Sequence, residues 1–340
     1  MDANMLKAFF SNRKWFYWSY GGSLVIILLI WYGVELNVEI NHWFGSFYNL
    51  LQDAVTKPNT VKLETVYDLV GDFLKIAMVY VIVGVICQFI TSHFVFRWRT
   101  ALNDYYMSHW HKIRHIEGAS QRVQEDTMRF ADILENLGTA FISSLLTLVA
   151  FLPLLWTLGK NIKNLPLIGN VDGALVIVAI LSSIVGTLVV ALAGIKLPGL
   201  NFKNQKVEAA YRKELVLGEN NSANCQPSTV NTLYNNVRKN YFTLYLNYLY
   251  FNVFRISYMQ VSVLIPAFMM APSLIAGLIT FGLFQQIIRA FDQVQSSFQY
   301  LVNSWSTIVE FMSIYKRLHA FEKEIHKVGE SDTMETNEIT

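Results

Sequence analysis

The sequence predicts an all-α membrane protein with six long transmembrane helices, and three observations carry that expectation. Apolar residues make up 53% of the 340-residue chain and charged residues 15%, with a mean hydropathy of +0.32, a balance foreign to ordinary soluble domains. Four segments, 16–34, 76–90, 137–158 and 173–195, are long and nearly free of charge. Two more, 241–271 and 274–312, have spanning length but carry many polar groups.

Six spans put both termini on one side of the bilayer. The basic residues cluster at Lys7 to Lys14, Arg97 to Arg129, Lys196 to Lys239 and Lys316 to Lys327, whereas only Lys57, Lys62, Lys160 and Lys163 fall in the opposite connections. The positive-inside rule therefore places both termini in the cytoplasm.

Taken in order, the first span follows Arg13 and Lys14 and is flanked by Trp15, Trp18, Trp31 and Tyr32, in the manner of interfacial aromatic belts. WYGVELNVEI comes next and offers no small-residue cleavage site, so the segment reads as an uncleaved anchor. In the connection 37–67, the amphipathic run HWFGSFYNLLQDAV and then Pro58 predict a helix end lying near the outer interface, before a turn. The inner connections, about 97–135 and 196–240, are charged and helical in pattern, so the spans are expected to continue through them. Their one loop-like break is GENNSANCQPST at 218–229. Cys87 lies in a span and Cys225 in an inner loop, which argues against a disulfide.

The last span carries a polar seam. Gln285, Arg289, Asp292, Ser296, Gln299, Asn303, Ser306 and Glu310 recur at steps of three and four and share a face. Ile287, Phe291, Val294, Phe298, Leu301, Trp305, Ile308 and Met312 follow the same rhythm on another face. At 1.5 Å per residue the seam runs roughly 37 Å, longer than a hydrocarbon core of about 30 Å, and reads as a wetted path. Arg289 and Asp292, three apart, also read as a mutual ion pair. Glu310 is placed to meet bases near Lys316 and Arg317 across a dimer. The fifth span has a second seam of Tyr241, Tyr245, Tyr248, Asn252 and Arg255, readable as substrate contact or as interfacial tyrosines with packing polar groups.

Long spans with two inner helical extensions have the shape of the membrane half of an ABC exporter. No GxxxxGK[ST] loop occurs, since the Gly159–Lys160 pair precedes Asn161, so a nucleotide-binding domain and ATP hydrolysis by that route are not expected. The domain reading is a transmembrane domain over 1–318 and a polar, disordered tail over 319–340, ending GESDTMETNEIT. No enzyme activity, cofactor or metal is expected. His109, His111 and His115, beside Glu117, match no familiar metal-site spacing. No hydrolase triad is evident in the spacing, and a net charge of +2 points to no nucleic-acid partner.

Four stretches go beyond architecture: SHFVFRWRTALNDYYM at 92–107, RHIEGASQRVQEDTMRFADILEN at 114–136, GIKLPGLNFKNQKVEAAYRKELVLGE at 194–219 and LVNSWSTIVEFMSIYKRL at 301–318. Through them the chain resembles the SbmA/BacA family of peptide-antibiotic transporters, from about residue 30 to residue 318. The runs QRVQEDTMRF and VEAAYRKEL are the specific part. The resemblance implies a homodimer in a bacterial inner membrane, taking up peptides, antimicrobial peptides among them, with protons as the energy source. Better-known members carry a longer N-terminus with an additional hydrophobic helix, whereas this sequence begins just before the first span.

The resemblance also implies that Glu125, Glu135, Glu208 and Glu219 take part in proton coupling. Each has a plainer reading. Glu125 with Arg129, Arg122 with Asp126, and Glu208 with Arg212 are i,i+4 pairs that suffice for an exposed helix. Glu219 borders the loop and can simply be solvated. Glu135 stands at the threshold of the third span with no base nearby in its helix, which makes it the stronger functional candidate. Three functions follow: a proton-driven homodimeric peptide importer, a membrane half that uses a separate ATPase subunit, or a receptor or scaffold without flux.

Overall fold

Long apolar runs with few internal breakers leave helices as the way to satisfy every backbone group in a bilayer. The computed structural model describes residues 4–114, 116, 119–160, 162, 166, 169, 171, 173–220 and 226–337, and no strand occurs among them. His115, Glu117, Lys163, Cys225 and the centre of the 218–229 break lie outside the described residues.

A short helix α1 (Asn4–Phe10) precedes α2 (Tyr17–Thr56), α3 (Leu63–Ser108) and α4 (Ala119–Gly159). Then come α5 (Ala174–Gly194), α6 (Leu197–Asn220), α7 (Pro227–Ile275), α8 (Phe281–Asn303) and α9 (Trp305–Asn337). Five helical stretches are long and apolar enough to cross a membrane: α2, α3, α4, the run from Ala174 to Glu219, and α7. The sixth expected span is α8, whose 23 residues reach roughly 34 Å but whose polar seam sets it apart from the other five.

The connection is shorter than residues 37–67, because HWFGSFYNLLQDAV is the second half of α2, which runs unbroken from Ser23 to Thr56 and ends, as expected, before the turn at Pro58. Its polar residues are paired to α8. The Asn49 and Gln52 side chains accept from the Gly282 and Phe281 amides at 2.9 and 2.8 Å, satisfying donors that a helix start leaves without partners. Asn41 Nδ2 donates to the Gln286 carbonyl at 3.0 Å.

The chain divides into two compact units, residues 1–176 with 270–340, and residues 177–269. In the first, α8 packs on α4 and α2, and α2 on α3. Its aromatic core joins α1, α3, α4 and α9. Phe9 stacks on Trp98 at 5.5 Å and meets Phe94 edge-on at 5.2 Å, and Trp98 Nε1 donates to the Met5 carbonyl at 3.2 Å. A seven-residue helix is not stable alone; burial of Met5 and Phe9, at about 1.5–3 kcal/mol each, holds α1. Leu318 and Phe321 close the core from α9.

The turn from α7 into α8 is a Schellman motif. Leu278 N donates to Ser273 O at 2.9 Å and Gly277 N to Leu274 O at 3.0 Å, with Gly277 at φ +67°, a conformation glycine adopts without a Cβ penalty. Beyond it, α2 and α8 cross at backbone contact, since a Cβ on Gly282 would collide with the Gly45 carbonyl oxygen. Small residues allow such approach between membrane helices.

In the second unit, α5 packs on α7 through Gly186, where a Cβ would meet the Tyr258 ring. Tyr258 OH donates to the Ser182 carbonyl at 3.1 Å. Asn240 Nδ2 donates to Asn204 Oδ1 at 3.1 Å, and Asn201 Nδ2 to the Tyr248 hydroxyl at 3.2 Å, tying α6 to α7.

Candidate functional site

The first unit gathers its charges where α4 departs from regular helix. Two π-helical turns interrupt α4, Arg122–Asp126 and Leu134–Gly138, and such turns often mark functional positions. Glu125 lies in the first and Glu135 in the second, about ten residues or roughly 15 Å apart along the helix.

At the first turn, Gln121 Nε2 and Arg129 Nε donate to Glu125 at 3.0 and 3.1 Å. Arg129 also reaches Glu310 of α9 at 3.3 Å. The i,i+4 pair expected for Glu125 is therefore present, extended to a third charge. Asp126 does not pair with Arg122. It takes a two-pronged contact from Arg317 of α9, Nε to Oδ2 at 3.0 Å and Nη2 to Oδ1 at 2.7 Å, while the Arg122 guanidinium lies 5.5 Å from the Phe321 ring. Asp126 is only 4% exposed, so the fork replaces water it has lost. The hydrogen bond to Asp126 raises the Arg317 pKa above its ordinary value. Within its own chain, Glu310 is paired with Arg129.

At the second turn, half-buried Glu135 accepts a hydrogen bond from the Ser92 hydroxyl of α3. No ion pair joins it to any described base. Tyr300 of α8 donates to the Leu137 carbonyl at 2.6 Å, using an acceptor that widening of the ladder makes accessible. Ser92, Tyr300 and Arg317 are site neighbours that helical spacing had no means to reveal.

The seam of α8 is real in its first half. Ile287, Phe291 and Val294 are fully buried, while Gln285, Arg289 and Gln299 are half-buried and Asp292, Ser296 and Asn303 exposed. Helical regularity is interrupted at Ser304, and the buried line changes there. Trp305 and Met312, expected on the packed face, are exposed, and Ile314, Leu318 and Phe321 are buried instead; the Leu301 side chain lies outside the described residues. Ser306 and Glu310 are exposed. The expected Arg289–Asp292 ion pair is absent among the described residues. Arg289 instead lies over the Phe44 ring, 4.0 Å from its centre.

The second unit holds the tyrosine seam and the other two glutamates. The rings of Tyr241 and Tyr245 are 5.6 Å apart, Tyr248 is engaged by Asn201, and the Arg255 guanidinium lies 5.8 Å from the Phe251 ring. Tyr245 and Arg255 are exposed, Tyr241, Tyr248 and Asn252 half-buried. A surface depression on α7 is lined by Asn235, Arg238, Lys239, Phe242, Thr243 and Leu246, none of them in that seam. On α6, Glu208 is half-buried and Glu219 exposed. Of the histidines, His109 Nδ1 is within 2.9 Å of the Tyr105 carbonyl and His111 is exposed.

Residues 12–326, which contain both glutamate pairs and both seams, match the SbmA/BacA-like family. The chain belongs to that family. Similar curated proteins include the inner membrane ABC transporter ATP-binding protein YddA of Escherichia coli strain K12, 24% identical over 88% of the chain and 56% of its own length. An uncharacterized ABC transporter ATP-binding protein of Synechocystis is 25% identical over 74% of the chain and 37% of its own length. The chloroplastic ABC transporter D family member 2 of Arabidopsis thaliana is 24% identical over 72% of the chain and 36% of its own length. The chain therefore spans about half the length of the first and about a third of the others. The SbmA/BacA-like match runs through the π turns of α4 and through α8, so the irregular helix and the amphipathic one both fall inside the family region.

Proposed function

We propose that the chain is a membrane transporter that imports peptides, antimicrobial peptides and peptide-like antibiotics among them, across a bacterial inner membrane as a proton-driven homodimer. Both termini lie in the cytoplasm. An outward-open cavity admits peptide and protons, closes outside, and opens as the inner helix ends part.

The observation that carries this reading is the face of α8 on which Asp292, Ser296 and Asn303 are exposed while Ile287, Phe291 and Val294 are buried. A line of polar groups on a membrane helix is costly against lipid and points to a wetted path or a protein partner. In the first unit Gln299, Asn303, Arg289 and Asp292 are the candidate peptide contacts; in the second, Tyr241, Tyr245, Tyr248, Asn252 and Arg255 are. Adaptable hydrogen-bonding groups of this kind suit peptides of varied sequence. Glu125, Glu135, Glu208 and Glu219 carry the protons. Glu135, bonded to a hydroxyl rather than to a base, is the least encumbered of the first unit's pair.

The test is uptake of a fluorescent proline-rich peptide into proteoliposomes containing this chain alone, with an imposed pH gradient and no ATP. Gradient-dependent uptake by the wild type and its loss in Glu135→Gln is the expected result. Equal uptake in both would remove Glu135 as an essential carrier. No uptake without an added ATPase subunit would favour a second reading, in which the chain is the membrane half of an ABC transporter. That reading draws on relatives named as ABC transporter ATP-binding proteins, of which the chain matches only 56% and 37%.

A further inference from the structure

Arg289 is a cation that the described protein leaves unanswered. It sits on the polar face of α8, about 12 Å from the start of that helix. Its Nε is buried without a hydrogen-bond partner, and no described carboxylate is within ion-pair distance. Asp292, three residues on, is exposed and does not reach it. Its one contact of note is the Phe44 ring at 4.0 Å, which steadies the guanidinium through its face and leaves the in-plane N–H fork unused. A permanent charge at that depth is costly unless an anion meets it.

We propose that Arg289, seated on Phe44, is the receptor for the C-terminal carboxylate of the transported peptide. This inference rests on the peptide-importer reading and names the part of the substrate that the path recognises. A planar fork of donors matches a carboxylate with two parallel hydrogen bonds. The terminal carboxylate is also the one anion that every unmodified peptide carries whatever its sequence. One fixed charged contact beside neutral, adaptable groups such as Gln285 and Gln299 holds a peptide in one direction without reading its side chains.

The experiment compares one proline-rich peptide as free acid and as C-terminal amide, in proteoliposome uptake and in fluorescence-anisotropy binding to the purified full chain in detergent. The wild type is expected to favour the acid by about tenfold in both assays, the scale of a charge-assisted hydrogen bond. In Arg289→Gln the ratio falls to about one because handling of the acid drops to the level of the amide. Arg289→Lys, which keeps the charge without the fork, gives an intermediate ratio. Thermal melting of each variant separates this result from misfolding. Equal handling of acid and amide by the wild type overturns the inference, as does discrimination that survives in Arg289→Gln. Absence of uptake with acid-selective binding would instead count against the importer reading while leaving the carboxylate site in place. Absence of acid-selective binding overturns the site itself.

Discussion

Arg317 and Asp126 meet through two short hydrogen bonds, yet their surroundings differ. The Asp126 side chain is 6% exposed and that of Arg317 46% exposed. Removing the arginine strands a buried carboxylate, whereas removing the aspartate returns a half-exposed guanidinium to water. Arg317→Ala is therefore expected to lower thermal stability in detergent more than Asp126→Ala does, with a cost of about 1–3 kcal/mol after allowance for solvent screening of the exposed partner. Equal costs, or the reverse order, would contradict this account. Helical spacing anticipated the Glu125–Arg129 pair because its partners are four residues apart, but not the contacts from Arg129 to Glu310 and from Arg317 to Asp126. Those partners are separated by 181 and 191 residues, and only the packing of α9 on α4 selects them. Glu135 was recognised as lacking a basic neighbour, while its hydroxyl partner on α3 was invisible for the same reason.

Among the helices, α2 shows how far a local reading reaches. Glu35, Asn37, Glu39 and Asn41 follow the apolar run of the first span, a pattern that predicts a connection from residue 37 with a helix end near Pro58. In the fold, Asn41 and Asn49 are the groups by which α2 grips α8, and the helix continues because its polar residues have partners. That grip depends on backbone proximity. Gly282→Ala would drive a methyl group into the Gly45 carbonyl oxygen, a contact no side-chain rotation relieves. Gly71, in α3, has nothing within 4 Å of where a Cβ would stand, and alanine there removes the helix cost of glycine, about 0.5–1 kcal/mol. Melting temperatures should therefore move in opposite directions, down for Gly282→Ala and up slightly for Gly71→Ala. A neutral Gly282→Ala would mean that the α2–α8 crossing is looser than this geometry. The polar seam of α8 was legible because a 3.6-residue period is a local property, but the packed line opposite it did not keep its expected course once the helix was interrupted at Ser304.

For the whole molecule, five strongly apolar stretches among the described residues are long and apolar enough to cross a membrane, and the sidedness of α9 depends on α8 crossing as well. Single cysteines at Lys14, Asn59 and Lys323, in a Cys87→Ala, Cys225→Ser background, provide the check. Membrane-impermeant labelling should reach Lys14→Cys and Lys323→Cys from the same side and Asn59→Cys from the other. Labelling of Lys323→Cys together with Asn59→Cys would mean that α8 does not span. Composition, hydrophobic period and the placing of lysine and arginine determined by themselves that the chain is helical, membrane-embedded and divided into these long elements, because each is a property of a residue and its near neighbours. The family was legible too, in runs such as QRVQEDTMRF. Only tertiary structure decided that α2 continues to Thr56, that Asp126 belongs to Arg317, that Glu135 is held by Ser92 and that Arg289 lies on Phe44 without a counter-ion among the described residues. Those facts depend on which faces of distant helices meet, and no local pattern in the chain encodes that choice.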